Sequence, residues 1–291
     1  MTISEMQVQA GGVGFGCLTA GPADGPLALC LHGFPDTALT YRHLLPELAA
    51  AGFRAVAPFS RGYAPTDVPA DGRFQTGALA RDANALHEAL SGDERAVVVG
   101  HDWGAQAAYG AAGSAPERWR KVVAMAVPVG PALAGSFFSY DQVKRSFYMY
   151  FFQNPLADVL VAADDQAFIA RLWADWSPGY DATEDLALVR AALGTPENLG
   201  AALGYYRALF DPSRQTPELA AEQQAAGGVP PQPTLYLHGA QDGCMGADIA
   251  LASRDVLSPG SEVVVVEGAG HFLHLERPDE VDPRIVRFLS S

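Results

Sequence analysis

The β-branched run Ala96-Val97-Val98-Val99 ends directly in Gly100-His101-Asp102-Trp103-Gly104, and an Ala-rich helical stretch follows over residues 103–112. Strand, glycine-flanked acid and helix in that order describe a sharp turn that lifts one side chain above the end of a sheet. Such a turn is strained and accepts only small neighbours, which Gly100, Gly104 and Ala105 supply. An Asp that only capped the helix would also fit position 102, but capping does not require glycines at 100 and 104. A carboxylate is ionised at neutral pH and needs no base to attack. It suits displacement at an sp³ carbon, giving an alkyl ester that water then cleaves, whereas Ser suits attack on a carbonyl.

The rest of the chain supplies a sheet for this turn. Leu27-Ala28-Leu29-Cys30-Leu31 is a continuous apolar run and reads as a strand buried on both faces. Residues 53–57, 121–127, 234–237 and 262–266 read as further strands. Residues 37–51, 77–90 and a last segment near 283–289 read as helices. Strands alternating with helices predict a mostly parallel sheet covered on both faces. The alternation stops after Pro128. From 130 to 228 no strand is legible, only helical segments punctuated by Pro155, Pro178, Pro196, Pro212 and Pro217. The expected organisation is an α/β core of residues 1–129 and 229–291 with a helical cap of residues 130–228 inserted. That block holds 15 of the 28 aromatic residues, eight of them between Phe137 and Phe152, a local excess that suits a roof over an apolar cavity.

Three more segments follow strands and carry reactive groups. His271, in Gly268-Ala269-Gly270-His271-Phe272, comes after the last strand, where it can activate water against an ester. His274, three residues on, reads as a packing or surface residue. Asp242, in His238-Gly239-Ala240-Gln241-Asp242-Gly243, is placed to fix an imidazole tautomer and stabilise its charged form. The order Asp102, Asp242, His271 is nucleophile, acid, histidine. His32-Gly33-Phe34-Pro35, after the first of these strands, can aim the backbone N–H of Phe34 at a developing oxyanion, with the N–H of Trp103 as second donor.

Composition narrows the partners. A net charge of −14 argues against nucleic acid and against an anionic membrane surface. Cys17, Cys30 and Cys244 make neither a disulfide framework nor a metal-type pair. No basic-then-apolar leader opens the chain, and no apolar run reaches the ~18 residues of a membrane span. The expectation is a cytoplasmic protein without cofactor or metal, monomeric or homodimeric.

His-Gly-Phe-Pro and Gly-His-Asp-Trp-Gly together resemble the epoxide hydrolase and haloalkane dehalogenase branch of the α/β-hydrolases, and the resemblance covers essentially the whole chain. It implies an eight-stranded, mostly parallel sheet, a small apolar epoxide and water as substrates, and contacts to that substrate from Phe34, Pro35, Trp103, Phe151 and Phe272. Epoxide hydrolases of this branch carry two cap tyrosines that hydrogen-bond and protonate the epoxide oxygen. One lies five residues before a Gln in an aromatic helix, which points to Tyr148 in Tyr148-Met149-Tyr150-Phe151-Phe152-Gln153. The other lies in an aromatic-Tyr-Arg sequence, which points to Tyr206 in Tyr205-Tyr206-Arg207. Tyr150 and Tyr205 are the alternative assignments. An alkoxide is a poor leaving group and requires such a donor. Dehalogenases often carry Asn where this chain has Phe34, which offers no side-chain hydrogen bond; fluoroacetate dehalogenases carry Arg where it has Trp103. A non-catalytic, hydrolase-fold receptor for an apolar ligand is the third reading. One departure is Ala64, where Arg61-Gly62-Tyr63-Ala64 replaces the second glycine of an Arg-Gly-x-Gly stretch.

Overall fold

The computed structural model describes residues 2–291. Eight strands form one sheet: β1 (Ser4–Ala10), β2 (Val13–Ala20), β3 (Leu27–Leu31), β4 (Arg54–Pro58), β5 (Val97–His101), β6 (Lys121–Met125), β7 (Thr234–Gly239) and β8 (Glu262–Val266). Their spatial order is β1-β2-β4-β3-β5-β6-β7-β8. β1 and β2 pair antiparallel, as do β2 and β4, and every later pairing is parallel. The central strands alternate between two separate cores. Leu27, Leu29 and Leu31 of β3 join one and Ala28 and Cys30 the other, which is why the run is apolar throughout.

The helices between strands are α1 (Leu44–Ala50), α2 (Thr76–Ala89) and α3 (Trp103–Ser114). Between β6 and β7 lie α4 (Gly130–Ala134), α5 (Tyr140–Arg145), α6 (Phe147–Phe151), α7 (Ala157–Trp176, broken at Ala163–Gln166), α8 (Thr183–Ala192), α9 (Pro196–Phe210) and α10 (Ala220–Ala226). After β7 come α11 (Ala247–Leu251), α12 (Leu273–Glu276) and α13 (Pro278–Ser290). The last helix begins before Pro283 and carries that proline inside it.

The β1–β2 hairpin leaves little periodic signal in the sequence. Gly14 and Gly16 interrupt β2 because a loop lies on them: their N–H groups donate to Asp67 Oδ2 at 2.9 Å and Thr66 Oγ1 at 3.0 Å, and a Cβ on either would collide with that loop. Ala64 has no positive φ, so the position does not need glycine. The three cysteines are free and buried. Among the described residues, no helix is long and apolar enough to cross a membrane.

Candidate active site

Asp102 sits between β5 and α3 with φ +53° and ψ −117°, a strained conformation for a residue with a Cβ. The close approaches around it explain the flanking glycines. A Cβ on Gly100 would meet the Gly104 carbonyl, one on Gly104 the Leu31 carbonyl, and one on Gly33 the Asp102 side chain itself. The strand-end loop 32–34 therefore lies directly on the carboxylate, and the Phe34 N–H donates to Asp102 Oδ1 at 2.8 Å. His32 holds that loop. Its Nε2 accepts from the Ser60 N–H at 2.9 Å, so Nδ1 carries the proton it gives to the Gly33 carbonyl at 2.8 Å. Burial lowers its pKa to about 4, which keeps the ring neutral.

His271 faces Asp102 from the loop after β8. Its Nδ1 donates to Asp242 Oδ2 at 2.9 Å, and its Nε2 lies 3.7 Å from Asp102 Oδ2, buried and without a hydrogen-bond partner. Asp242 Oδ1 accepts from the N–H groups of Cys244 at 2.7 Å and Met245 at 2.9 Å. Burial alone would raise the Asp242 carboxyl. The His271 and His238 rings and these N–H donors outweigh it and hold the pKa down. For His271 burial favours the neutral ring, but the carboxylates of Asp242 and Asp102 win and its pKa is raised. His101, neutral through burial, donates from Nε2 to the His271 carbonyl at 2.9 Å and joins the nucleophile strand to the histidine loop.

The helical insertion supplies the opposite wall. The Tyr148 ring is 5.5 Å from that of Tyr206, and both tyrosines line one cavity with Asp102. Tyr148 Oη lies 3.4 Å from Cys244 Sγ, whereas Tyr206 Oη is buried without a partner. The polar residues beside them in sequence fix their positions. Gln153 Nε2 donates to the carbonyls of Met149 (2.8 Å) and Tyr206 (3.1 Å), tying α6 to α9. Arg207 donates to the Phe152 carbonyl and grips Asp158 with two bonds. The alternatives are otherwise engaged. Tyr150 is 40% exposed beside Phe210, and Tyr205 Oη donates to the Arg61 carbonyl at 2.7 Å.

The cavity has a volume of about 430 Å³ and a mostly apolar wall. Of the residues expected against substrate, Trp103 lines it, but Phe34, Pro35, Phe151 and Phe272 do not. The Phe34 ring packs behind, edge-on to Tyr206 and Phe152. The Pro35 carbonyl takes the Trp173 indole N–H, Phe272 stacks on the Trp173 ring, and Phe151 stacks on Phe168. The wall takes Phe137 from the aromatic-rich stretch and is otherwise built from residues the sequence did not single out, among them Leu133, Met149, Leu209 and Phe210.

The sequence also gave no sign of Trp176, whose carbonyl accepts the N–H groups of His271 (3.0 Å) and Gly243 (3.1 Å). Its neighbour Ser177 accepts from the Phe272 N–H and donates to Glu276. His274 is buried, with Nε2 2.5 Å from Thr40 Oγ1. Two buried groups bring potential metal ligands within 4.8 Å of one another: Asp36, His101 and His274, and Asp242, Cys244 and His271. The first separates Asp36 Oδ2 from His101 Nδ1 by 4.0 Å, wider than the ~3.4 Å edge of a tetrahedral site with ~2.1 Å bonds. In the second, Asp242 and His271 are bonded to each other.

A family model for the alpha/beta hydrolase fold matches residues 26–278. Epoxide hydrolase A of Mycobacterium tuberculosis is 29% identical, covering 99% of this chain and 98% of its own. An epoxide hydrolase of Caballeronia sordidicola is 31% identical, covering 92% of this chain and 88% of its own. The crystal structure of epoxide hydrolase A from Mycobacterium thermoresistibile superposes with a TM-score of 0.82 at 27% identity, covering 99% of this chain and 98% of that one.

Proposed function

This chain belongs to the α/β-hydrolase family, among the epoxide hydrolases, and from that premise we propose how its own residues turn an epoxide and water into a vicinal diol through an ester on Asp102. Asp102 Oδ1 is held by the Phe34 N–H, which leaves Oδ2 free to attack an epoxide carbon. The carbon–oxygen bond breaks as the new one forms, and the leaving oxygen takes a proton from Tyr148 or Tyr206. Burial raises the pKa of both hydroxyls well above the ordinary value, so they are proton-bearing donors at neutral pH. Oδ1 becomes the ester carbonyl oxygen, already against the Phe34 N–H.

Ester formation removes the Asp102 charge. That charge is one of the two that keep His271 protonated, so alkylation itself lowers the imidazole pKa and makes Nε2 available to accept a proton from water. The proton that the imidazole gives up on alkylation returns the tyrosinate to tyrosine. The water oxygen attacks the Asp102 carbonyl carbon. The N–H groups of Phe34 and Trp103 receive the negative oxygen, and collapse breaks the ester C–O bond. The departing alkoxide takes the second proton of the water, which releases the diol and leaves Asp102 as a carboxylate and His271 protonated. Asp242 stays ionised and steadies the imidazolium.

The observation that carries this reading is the pair of tyrosine hydroxyls on the wall of the Asp102 cavity, one with no partner in the protein. Halide departs without a proton and needs no such pair. The test is an assay with an aryl epoxide and a bromoalkane, following diol and bromide. Diol without bromide supports the proposal; bromide alone, or binding without turnover, overturns it.

A further inference from the structure

One polar side chain in the cavity wall has no part in the chemistry above. From Trp103 to Ala112 every residue of α3 is buried except Gln106. Gln106 lines the cavity, in a helix that is otherwise Trp, Gly, Ala and Tyr over this stretch. Its side-chain amide makes no hydrogen bond to the described residues. A Leu or Met would fill this wall at less cost, because an amide turned toward apolar surroundings must find a partner or lose its hydrogen bonds. Gln106 is partly exposed, so solvent meets it in the open cavity, and a bound substrate that displaces that solvent must replace its hydrogen bond.

Resting on the epoxide reading, we infer that Gln106 is a specificity residue that hydrogen-bonds an uncharged oxygen of the substrate near the oxirane. Gln106 lies in the first turn of α3, its N–H 3.4 Å from the Asp102 carbonyl, and both residues line the same cavity about one helical turn, roughly 5 Å, apart. The group it reads is therefore a few bonds from the attacked carbon: an ether, hydroxyl or carbonyl oxygen on an otherwise apolar skeleton. Among the described residues no Lys, Arg or His lines the cavity, and Asp102 repels anions, so the cavity does not suit an anionic substrate. The remaining wall of Leu133, Phe137, Met149, Leu209 and Phe210 takes an aryl or alkyl tail.

The test uses two probes that differ in one atom: phenyl glycidyl ether and 1,2-epoxy-4-phenylbutane, where methylene replaces the ether oxygen. kcat and KM are measured for both in the wild type, Gln106→Met and Gln106→Glu. The wild type is expected to favour the ether by roughly 3- to 10-fold in kcat/KM, the range of one neutral hydrogen bond. Gln106→Met keeps length without a donor and brings the ratio to about one. Gln106→Glu keeps the shape, offers only acceptors and brings it to one or below. A wild-type ratio retained in either folded variant overturns the inference, as does an equal loss on both probes, which marks a packing role. If the wild type turns over neither probe, the epoxide reading fails and this inference falls with it. If it turns over both without preference, the inference alone fails.

Discussion

Tyr206→Phe should slow epoxide opening while leaving the fold as stable as before or more so, and the two signs together test the role of the hydroxyl. The ring is held by edge contacts, with centroids 5.0 Å from Trp103, 5.1 Å from Phe34, 5.2 Å from Phe152 and 5.5 Å from Tyr148, all of which Phe keeps. The hydroxyl has no protein partner in the resting structure. Removing it breaks no hydrogen bond to the protein and relieves a buried polar group, a gain of up to about 1 kcal/mol. On the proposed mechanism the same hydroxyl faces developing negative charge in the transition state. One lost donor in a dry site costs about 2.7–4 kcal/mol, or roughly 100- to 1,000-fold in rate; donation from Tyr148 can soften this. Rapid-quench single turnover with mass spectrometry measures alkylation and ester hydrolysis separately, and urea denaturation measures stability. Alkylation should slow, and hydrolysis of the preformed ester, which the proposed mechanism assigns to the N–H groups of Phe34 and Trp103, should change little. Equal slowing of both steps would mean that Tyr206 only shapes the cavity. Wild-type opening in the Tyr148→Phe, Tyr206→Phe double variant would refute the donor assignment.

Other variants address the remaining parts. His271→Gln should accumulate an adduct of one substrate mass on intact-protein mass spectrometry, because Asp102 still opens the epoxide but nothing takes a proton from water; unmodified protein despite binding counts against the ester. Asp102→Asn, freshly prepared, should lose turnover and keep its fold by circular dichroism; full activity would sink the covalent route. Asp282 tests stability against pH. Burial raises its folded pKa to about 7 from 3.8, with Glu47 adding to the shift, and its Oδ1 is unpartnered. Between those values the unfolded chain has released the proton and the folded one has not. Stability should therefore fall as pH rises from about 4 to 7, by at most about 1.4 kcal/mol per unit. Asp282→Asn should reduce that slope in urea titrations; an unchanged slope refutes the assignment.

The residues legible in the sequence are those whose neighbours are constrained by backbone contact. Gly33, Gly100 and Gly104 leave a pattern because a Cβ at each would collide with Asp102 or a carbonyl. The sheet from β3 to β8 was legible because strands buried on both faces read as apolar runs. Helical residues were harder to assign. Neighbours one or two apart on a helix point to different faces, so the choice between Tyr205 and Tyr206, or Tyr148 and Tyr150, depended on which face met the sheet. The cavity wall was the least legible part. Phe151 and Phe272 are aromatic and close in sequence to reactive groups, yet they stack on Phe168 and Trp173, while Leu133 and Leu209 face the cavity with no local mark.

The contacts of Trp176 show why such residues escape a reading from spacing. Its carbonyl receives the His271 and Gly243 N–H groups at the end of α7, a helix of the insertion. Its ring stands 5.0 Å from the His271 ring and 4.9 Å from that of Tyr148. One residue thus touches the proposed base, the loop that presents Asp242 and one proposed proton donor. A backbone carbonyl is available from any residue type, so this role imposes no choice on the sequence at 176. The ring does, because a smaller side chain would leave a void between His271 and Tyr148. The insertion is therefore more than a roof that selects substrate. It bonds directly to the histidine loop and packs on Tyr148, so a shift of α7 would move the proposed proton donor and the proposed base together.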